Sequence, residues 1–258
     1  MVTPDPRLGS VDAVARDRTR GAAALAAALA PALVRLRAEA PALLDAALQE
    51  LRAGQPAMVG LHALAEAARE DCERPGALAT AVAALARAPA ALARLGSQAL
   101  RHASHRRPLR VVTWSGSGSV GDALIAAAAT EPVHVTLGEG RPALEGTALG
   151  RRLREAGLAV TILEDGAVTT ALPDASLVVV GADAVGPDAF INKAGTLGLA
   201  AAARCLGLPV LVLATRQKYV ATLPPIPAGD RLFERIPLEL ATELVSDTAI
   251  LTPEQFRS

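Results

Sequence analysis

An acid, an amide and an ammonium lie close together in the segment VVVGADAVGPDAFINKAGTLGLAAAARCLGLPVLVLATRQKY, Val178 to Tyr219. Asp183 directly follows the apolar run SLVVVG, and Asn192 and Lys193 precede an alanine-rich helical run. If SLVVVG is a strand of a parallel sheet, these groups gather at its carboxyl end, where open α/β sheets bind their ligands. Asn192 then reads as the N-cap of the next helix, with Lys193 in its first turn. A lysine there works against the helix dipole, which points to a nearby anion. The alternative is a loop aspartate closing a turn beside a solvated lysine.

Three further constellations carry polar chemistry. In TWSGSGSVGDAL, Thr113 to Leu124, a strand ends, a Gly/Ser loop follows and a helix begins. Free backbone N–H groups at the helix start and the hydroxyls of Ser115, Ser117 and Ser119 suit a phosphate. Gly116 and Gly118 allow close backbone approach. An ordinary turn capped by Ser119 is the competing reading. The loop is neither a P-loop nor a full dinucleotide fingerprint, since no Lys follows and the acid expected after the second strand is not obvious; no resident cofactor is expected. In GEGRPALEG, Gly138 to Gly146, Arg141 precedes Pro142 on a stiff turn. It can fork a phosphate or carboxylate, or form a surface ion pair with Glu145. Near the N-terminus, in DRTRGAAALAAALA, Asp17 can cap a helix flanked by Arg18 and Arg20.

The elements that must position these groups follow from the apolar period. From Val11 to Ala103, apolar residues recur at helical spacing, and Pro31, Pro41, Pro56, Pro75 and Pro89 punctuate the stretch into four or five helices. The period then changes. LRVVTW, VHVTL, LAVTIL, SLVVVG and PVLVLA read as short buried strands, separated by the helical runs VGDALIAAAAT, EGTALGRRLREAG and NKAGTLGLAAAARCLG. This βαβ alternation predicts an α/β fold: a helical domain over residues 1–105, then a Rossmann-like, mostly parallel sheet domain over 106–258 with both sheet faces covered. The basic run Arg101 to Arg107 marks the boundary and reads as a solvated linker or a recognition patch.

Composition narrows the classes. The chain has 258 residues, 51% hydrophobic and only 2% aromatic, so its core is built from Ala, Leu and Val. Lys plus Arg and Asp plus Glu both total 26, and the zero net charge offers no global field for nucleic acid or an anionic membrane. Arg, Glu and Asp interrupt the Ala-rich runs, so none reads as a membrane span. Cys72, near a helix end, and Cys205, in a buried helical position, form no metal pattern. The first residues carry no apolar core of a signal peptide, so a cytoplasmic setting is expected.

Together these segments resemble the family of translation initiation factor 2B alpha, beta and delta subunits, which includes methylthioribose-1-phosphate isomerase and ribose-1,5-bisphosphate isomerase. RGAAALAAALA resembles the family's Arg-Gly-Ala helix start, and TWSGSGSV its Thr-x-Ser-x-Ser-x-x-Val loop. EGRPALEGTALGRRLREAGLAVTIL resembles its Glu-x-Arg-Pro segment, VVVGADAVGPDAFINKAGTLGLAAAA its most specific motif, and FERIPLELATELVSDTAILTPEQF its C-terminus. The resemblance implies a helical domain followed by a Rossmann-like domain. It also implies a pocket for a phosphorylated ribose or nucleotide, and a homodimer through the α/β domains helped by the apolar stretch PLELATELV. Asp183 matches the acid of the isomerases. Asn192 and Lys193 match ligand holders, Arg20 with Gly21 and Arg141 the phosphate side, and Ser115, Gly116, Ser117 and Ser119 the strand-loop. Ser115 stands where the isomerases carry a catalytic Cys, with Trp114 before it. A thiol exchanges protons near neutral pH, whereas a serine hydroxyl needs an adjacent base, and no His lies near it in sequence. The expectation is therefore a ligand-binding, regulatory or sensing protein. The rivals are an aldose–ketose isomerase acting through Asp183, and an interaction subunit with a vestigial pocket.

Overall fold

The computed structural model describes residues 5–17, 20–104, 106 and 108–257. Arg18, and His105 and Arg107 of the basic run, lie outside the described residues. The chain divides into two compact units, Met1–Arg87 with Pro224–Pro227, and Ala88–Leu223 with Ala228–Ser258.

The first unit is helical: α1 (Gly9–Arg16), α2 (Ala22–Glu39), α3 (Leu44–Gly54), α4 (Val59–Glu70) and the start of α5 (Ala77–Ala103). Helical spacing builds its core, with Leu25, Leu29, Leu33 and Leu36 buried along α2, and Leu61, Leu64, Ala65 and Ala68 along α4. Pro31 and Pro89 do not break helices as expected; they lie inside α2 and α5. Both are exposed, so the carbonyl that each proline leaves without an N–H partner can be met by water. By length and composition alone α5 suffices to cross a membrane, contrary to the sequence expectation. Its second half nonetheless has a core role: Leu92, Ala99 and Leu100 are buried against the sheet of the second unit.

That unit runs β1 (Leu109–Thr113), α6 (Gly118–Ala128), β2 (Val133–Gly138), α7 (Glu145–Glu155), β3 (Ala159–Leu163), β4 (Leu177–Gly181), β5 (Ala184–Val185), β6 (Ala189–Lys193), α8 (Thr196–Cys205), β7 (Val210–Leu213), β8 (Phe233–Pro237), β9 (Glu243–Val245), β10 (Ile250–Leu251) and α9 (Pro253–Arg257). Among the described residues the main sheet has seven strands in the order β10-β9-β7-β4-β1-β2-β3. All neighbours are parallel except β10 with β9. The expected α/β class, with a helical region before a mostly parallel sheet, is the observed one. Alternate residues feed two cores. Val111, Val179 and Leu211 face Val120, Leu124 and Leu153 of α6 and α7. Val112, Val178, Val180 and Val212 pack with Leu199 and Ala203 of α8 on the other face.

The chain builds outward from β1 to β2 and β3, then crosses to β4 on β1's other side, so the connections leaving β1 and β4 part at their carboxyl ends. This is the topological switch point at which such sheets hold ligands. Three features depart from expectation. β5, β6 and β8 form a separate antiparallel sheet. Coverage of the main sheet is incomplete, because Arg110, His134 and Thr161 border an open cavity of ≈ 320 Å³ over β1 to β3. Cys205 ends α8 and is exposed rather than buried. The apolar C-terminal stretch supplies the unit's own core, with Leu238, Leu244 and Val245 buried.

Candidate functional site

The loop after β1 is tightly determined. Trp114 is buried and its indole N–H donates to the Ala194 carbonyl at 2.9 Å. Ser115 has a φ of 59°, a left-handed conformation uncommon for a residue with a Cβ. Ser117, rather than Ser119, caps α6, its Oγ accepting from the Val120 N–H at 3.4 Å. Ser119 sits in the helix's first turn, whose leading N–H groups have no intrahelical acceptor. Gly181, at the end of β4, leaves room for Ser117, whose Oγ stands 2.6 Å from where a Cβ would be.

The loop after β2 is fixed from β3. Asp165 accepts from the backbone N–H groups of Gly140 at 2.9 Å and Arg141 at 2.8 Å. The Glu139 carbonyl then accepts from the N–H groups of Gly146 and Thr147, starting α7. Glu145, in the first turn of α7, thereby reaches inward. Its Oε2 accepts from Ser115 Oγ at 2.8 Å, and its Oε1 from Lys193 Nζ at 3.0 Å.

Asp183 follows β4 as expected. Its carboxylate lies 3.7 Å from Lys218 Nζ, which also donates to the Ala182 carbonyl at 2.5 Å. Burial pushes the Asp183 carboxyl above the ordinary carboxylate range, against the opposing pull of Lys218 and then Lys193. Two ammonium groups thus stand beside two carboxyl groups.

Asn192 and Lys193 are not at a helix start. They end β6, opposite Glu234 and Phe233 of β8. Gly195, with a φ of 102°, is the residue before α8, and Glu234 Oε1 accepts from the N–H groups of Gly195 at 2.9 Å and Leu197 at 2.7 Å. The glutamate from β8 takes the capping role assigned to Asn192, so the dipole argument for Lys193 does not apply. Lys193 answers Glu145 instead, with its Nζ 5.9 Å from the Phe233 ring centroid. Asn192 is buried and donates to Thr196 Oγ1 at 3.0 Å.

The structure brings Ser115, Lys193 and Asp183 together through Glu145 and Lys218, with Gly116 and Ser117 on the adjoining loop and Ser119 in the first turn of α6. Arg141 is different. Its partner is Glu139 at 2.9 Å, not Glu145, and its side chain is 69% exposed. Arg20 and Gly21 belong to the helical unit. Arg20 pairs with Asp17 at 2.7 Å, and Gly21 precedes α2. Asp17 follows α1 and caps no helix start; it accepts from the Arg20 N–H at 2.9 Å. Among the described residues no group of three or more His, Cys, Asp and Glu side chains could hold a metal ion.

Sequence reasoning missed Lys218, Asp165 and the inward role of Glu145. Lys218 and Asp165 follow the strand runs PVLVLA and LAVTIL, so the carboxyl-end rule that selects Asp183 selects them as well. Nothing local in the sequence ties Glu145 to Ser115, 30 residues earlier.

Known proteins resemble this chain in sequence and in fold. The sequence is 45% identical over 83 residues to ribose 1,5-bisphosphate isomerase of Haloterrigena turkmenica, covering 32% of this chain and 25% of that protein. It is 31% identical over 224 residues to methylthioribose-1-phosphate isomerase of Parasynechococcus marenigrum, covering 79% of this chain and 65% of that protein. The matches therefore span less than two thirds of either isomerase. Translation initiation factor eIF-2B of Pyrococcus horikoshii OT3 has the same fold, with a TM-score of 0.86 at 25% identity over 99% of this chain and 100% of that one. With residues 18–227 matching it, the chain belongs to the Initiation factor 2 subunit family.

Proposed function

We propose that this protein binds a phosphorylated ribose, free or within a nucleotide, at the carboxyl edge of its parallel sheet, and that binding serves sensing or regulation. The observation that carries this reading is the setting of Asp183, a carboxyl raised by burial with Lys218, Lys193 and Glu145 acting on it, Glu145 in turn holding the Ser115 hydroxyl of the loop before α6. The N–H groups of that first turn, the hydroxyls of Ser117 and Ser119 and the ammonium of Lys193 suit the phosphate. Asp183 suits a ribose hydroxyl, as an uncharged acid donating or a carboxylate accepting. Ligands named for the relatives supply two of the probes, and ribose 1-phosphate and AMP complete the set. Ribose 1-phosphate, ribose 1,5-bisphosphate, methylthioribose 1-phosphate and AMP are tested by thermal shift, where a ligand at 100 times its Kd stabilises by about 2.7 kcal/mol. A rise in Tm with at least one probe, lost in Lys193→Ala, is expected. No rise with any of them ends the proposal.

A second reading, aldose–ketose isomerisation of the same ligand, is favoured by Asp183 itself. A carboxyl raised above its ordinary range by burial is the kind of group that proton transfer between sugar carbons and oxygens uses. An NMR assay for ketose product decides between the two readings.

A further inference from the structure

The expectation that Ser115 is inert rests on its having no base beside it. The folded chain supplies one. Ser115 Oγ donates to Glu145 Oε2 at 2.8 Å, and Lys193 Nζ holds Oε1 of the same carboxylate at 3.0 Å. Several features enforce the contact. Ser115 keeps the left-handed backbone that aims it there, a strain of the sort that accumulates at working sites. At Gly116 a Cβ would stand 2.6 Å from the Glu145 Cβ, so only glycine lets α7 approach this loop so closely. At Gly146, next to Glu145, a Cβ would stand 1.8 Å from the Gly138 carbonyl, so the turn presenting Glu145 needs glycine as well. A serine hydroxyl, a carboxylate and an ammonium thus form one hydrogen-bonded line at the mouth of the loop.

We propose that Glu145 is the proton acceptor for Ser115, and that the line Ser115–Glu145–Lys193 moves a proton to and from a hydroxyl of the bound sugar phosphate. The inference rests on the binding reading above and adds an activity to it. In the forward step the ligand's O–H bond breaks and its proton passes to Ser115 Oγ, as the serine's own proton passes to Glu145 Oε2. The ligand oxygen is left with the electron pair and the carboxylate becomes a carboxylic acid. Serine is unchanged, no free alkoxide accumulates on it, and nothing is oxidised or reduced. The return step runs the same path backwards and protonates an oxygen of the product, while the carbon-bound hydrogen that ketose formation also moves, as C2 is oxidised and C1 reduced, is left to Asp183, the acid of the second reading. Lys193 orients the carboxylate and balances its charge before the transfer. A relay of this kind needs no thiol, so serine at this position is compatible with turnover.

The test measures ketose formation by NMR and thermal shift side by side, on the full chain, with ribose 1-phosphate, ribose 1,5-bisphosphate and methylthioribose 1-phosphate. Native protein is expected to turn over at least one of them. Glu145→Gln preserves shape but accepts no proton. It should give the native shift in Tm, a KM within about two-fold and a kcat lower by about 100- to 10,000-fold. Ser115→Cys/Glu145→Gln should regain activity, because a thiol can give up its own proton near neutral pH. Ser115→Ala, which disturbs the fold least, should fall as far as Glu145→Gln, and the double variant no further. Native kcat in Glu145→Gln or in Ser115→Ala overturns the relay. Binding without turnover by native protein overturns the relay and leaves the binding reading standing. Absence of any shift in Tm overturns both.

Discussion

The two ends of one nine-residue segment, Gly138 to Gly146, carry the same chemistry and have opposite fates. At one end Arg141 and Glu139 form an ion pair at 2.9 Å, with the arginine side chain 69% exposed. At the other, Glu145 pairs with Lys193 at 3.0 Å, the two side chains 25% and 13% exposed, and also takes the Ser115 hydroxyl. The two carboxylates are about equally shielded, Glu139 at 24%, but in the first pair water competes for the cation, and such pairs contribute about 0–1 kcal/mol. In the second, each group has given up much of its water and depends on the other. Charged residues near a ligand edge are therefore poor evidence of a site until their desolvation and partners are known.

The sharpest way to break the difference is to deny Glu145 its turn. Gly146→Ala places a Cβ 1.8 Å from the Gly138 carbonyl, an atom of the backbone that cannot swing aside. The expected loss is about 3 kcal/mol or more, read as a fall in the urea midpoint. A loss under about 0.5 kcal/mol would show that the turn can move. Next comes the contrast itself. Glu145→Ala leaves Lys193 half-buried without its carboxylate and should cost about 2 kcal/mol, whereas Glu139→Ala should cost less than about 1 kcal/mol. Equal losses would erase the distinction between the two ends.

The same contrast marks what could be read from the chain. SLVVVG and PVLVLA are found as β4 and β7 because a strand buried on both faces leaves an unbroken apolar run, and LRVVTW, VHVTL and LAVTIL are found as β1, β2 and β3, where Arg110, His134 and Thr161 interrupt the run on the more open face. Asp183 is found where the run before it places it. Asn192 and Lys193 look like a helix start, yet β8 pairs with them from about forty residues away and makes them strand. Glu234, the cap of α8, arrives from the same distant strand. Ser117 and Ser119 are equivalent by type, and only the point at which the chain turns out of β1 chooses between them. Local rules settle elements and the edge where ligands gather; which charge meets which is decided by long-range packing.

A smaller effect follows from Asp183. Burial raises its folded pKa above the unfolded value of about 3.9. The folded state then binds more protons than the unfolded state between these two values, so stability falls as pH rises through that window. The contribution is fully present below the unfolded value, declines through the folded one and is flat above it. Asp183→Asn cannot titrate. The stability of native protein minus that of Asp183→Asn, from urea unfolding at several pH values, should therefore decline from about pH 4 upward by at most about 1.4 kcal/mol per unit. A difference that grows with pH would mean that Lys218 and Lys193 outweigh burial, and that Asp183 is a carboxylate throughout.

The smallest change concerns the exposed end of the segment and what an ion pair does there. Arg141 is held at its backbone by Asp165 and at its guanidinium by Glu139. The backbone contact sets where the arginine stands; the side-chain contact only occupies it. Replacing Glu139 by Gln therefore leaves the turn intact and removes a competitor for any phosphate that Arg141 reaches. Stability should move by less than about 0.5 kcal/mol. If Arg141 takes part in binding, the affinity for a ribose phosphate in Glu139→Gln should rise about two- to five-fold, at a gain of about 0.4–1 kcal/mol, the scale of an exposed charge pair. Arg141→Ala should lower it by a similar factor, and both shifts should shrink in high salt. Calorimetric titration of the two variants at low and high salt reads these changes. If neither alters Kd, Arg141 belongs to the solvated rim, and recognition lies wholly with Lys193, Lys218, Asp183 and the loop that starts α6.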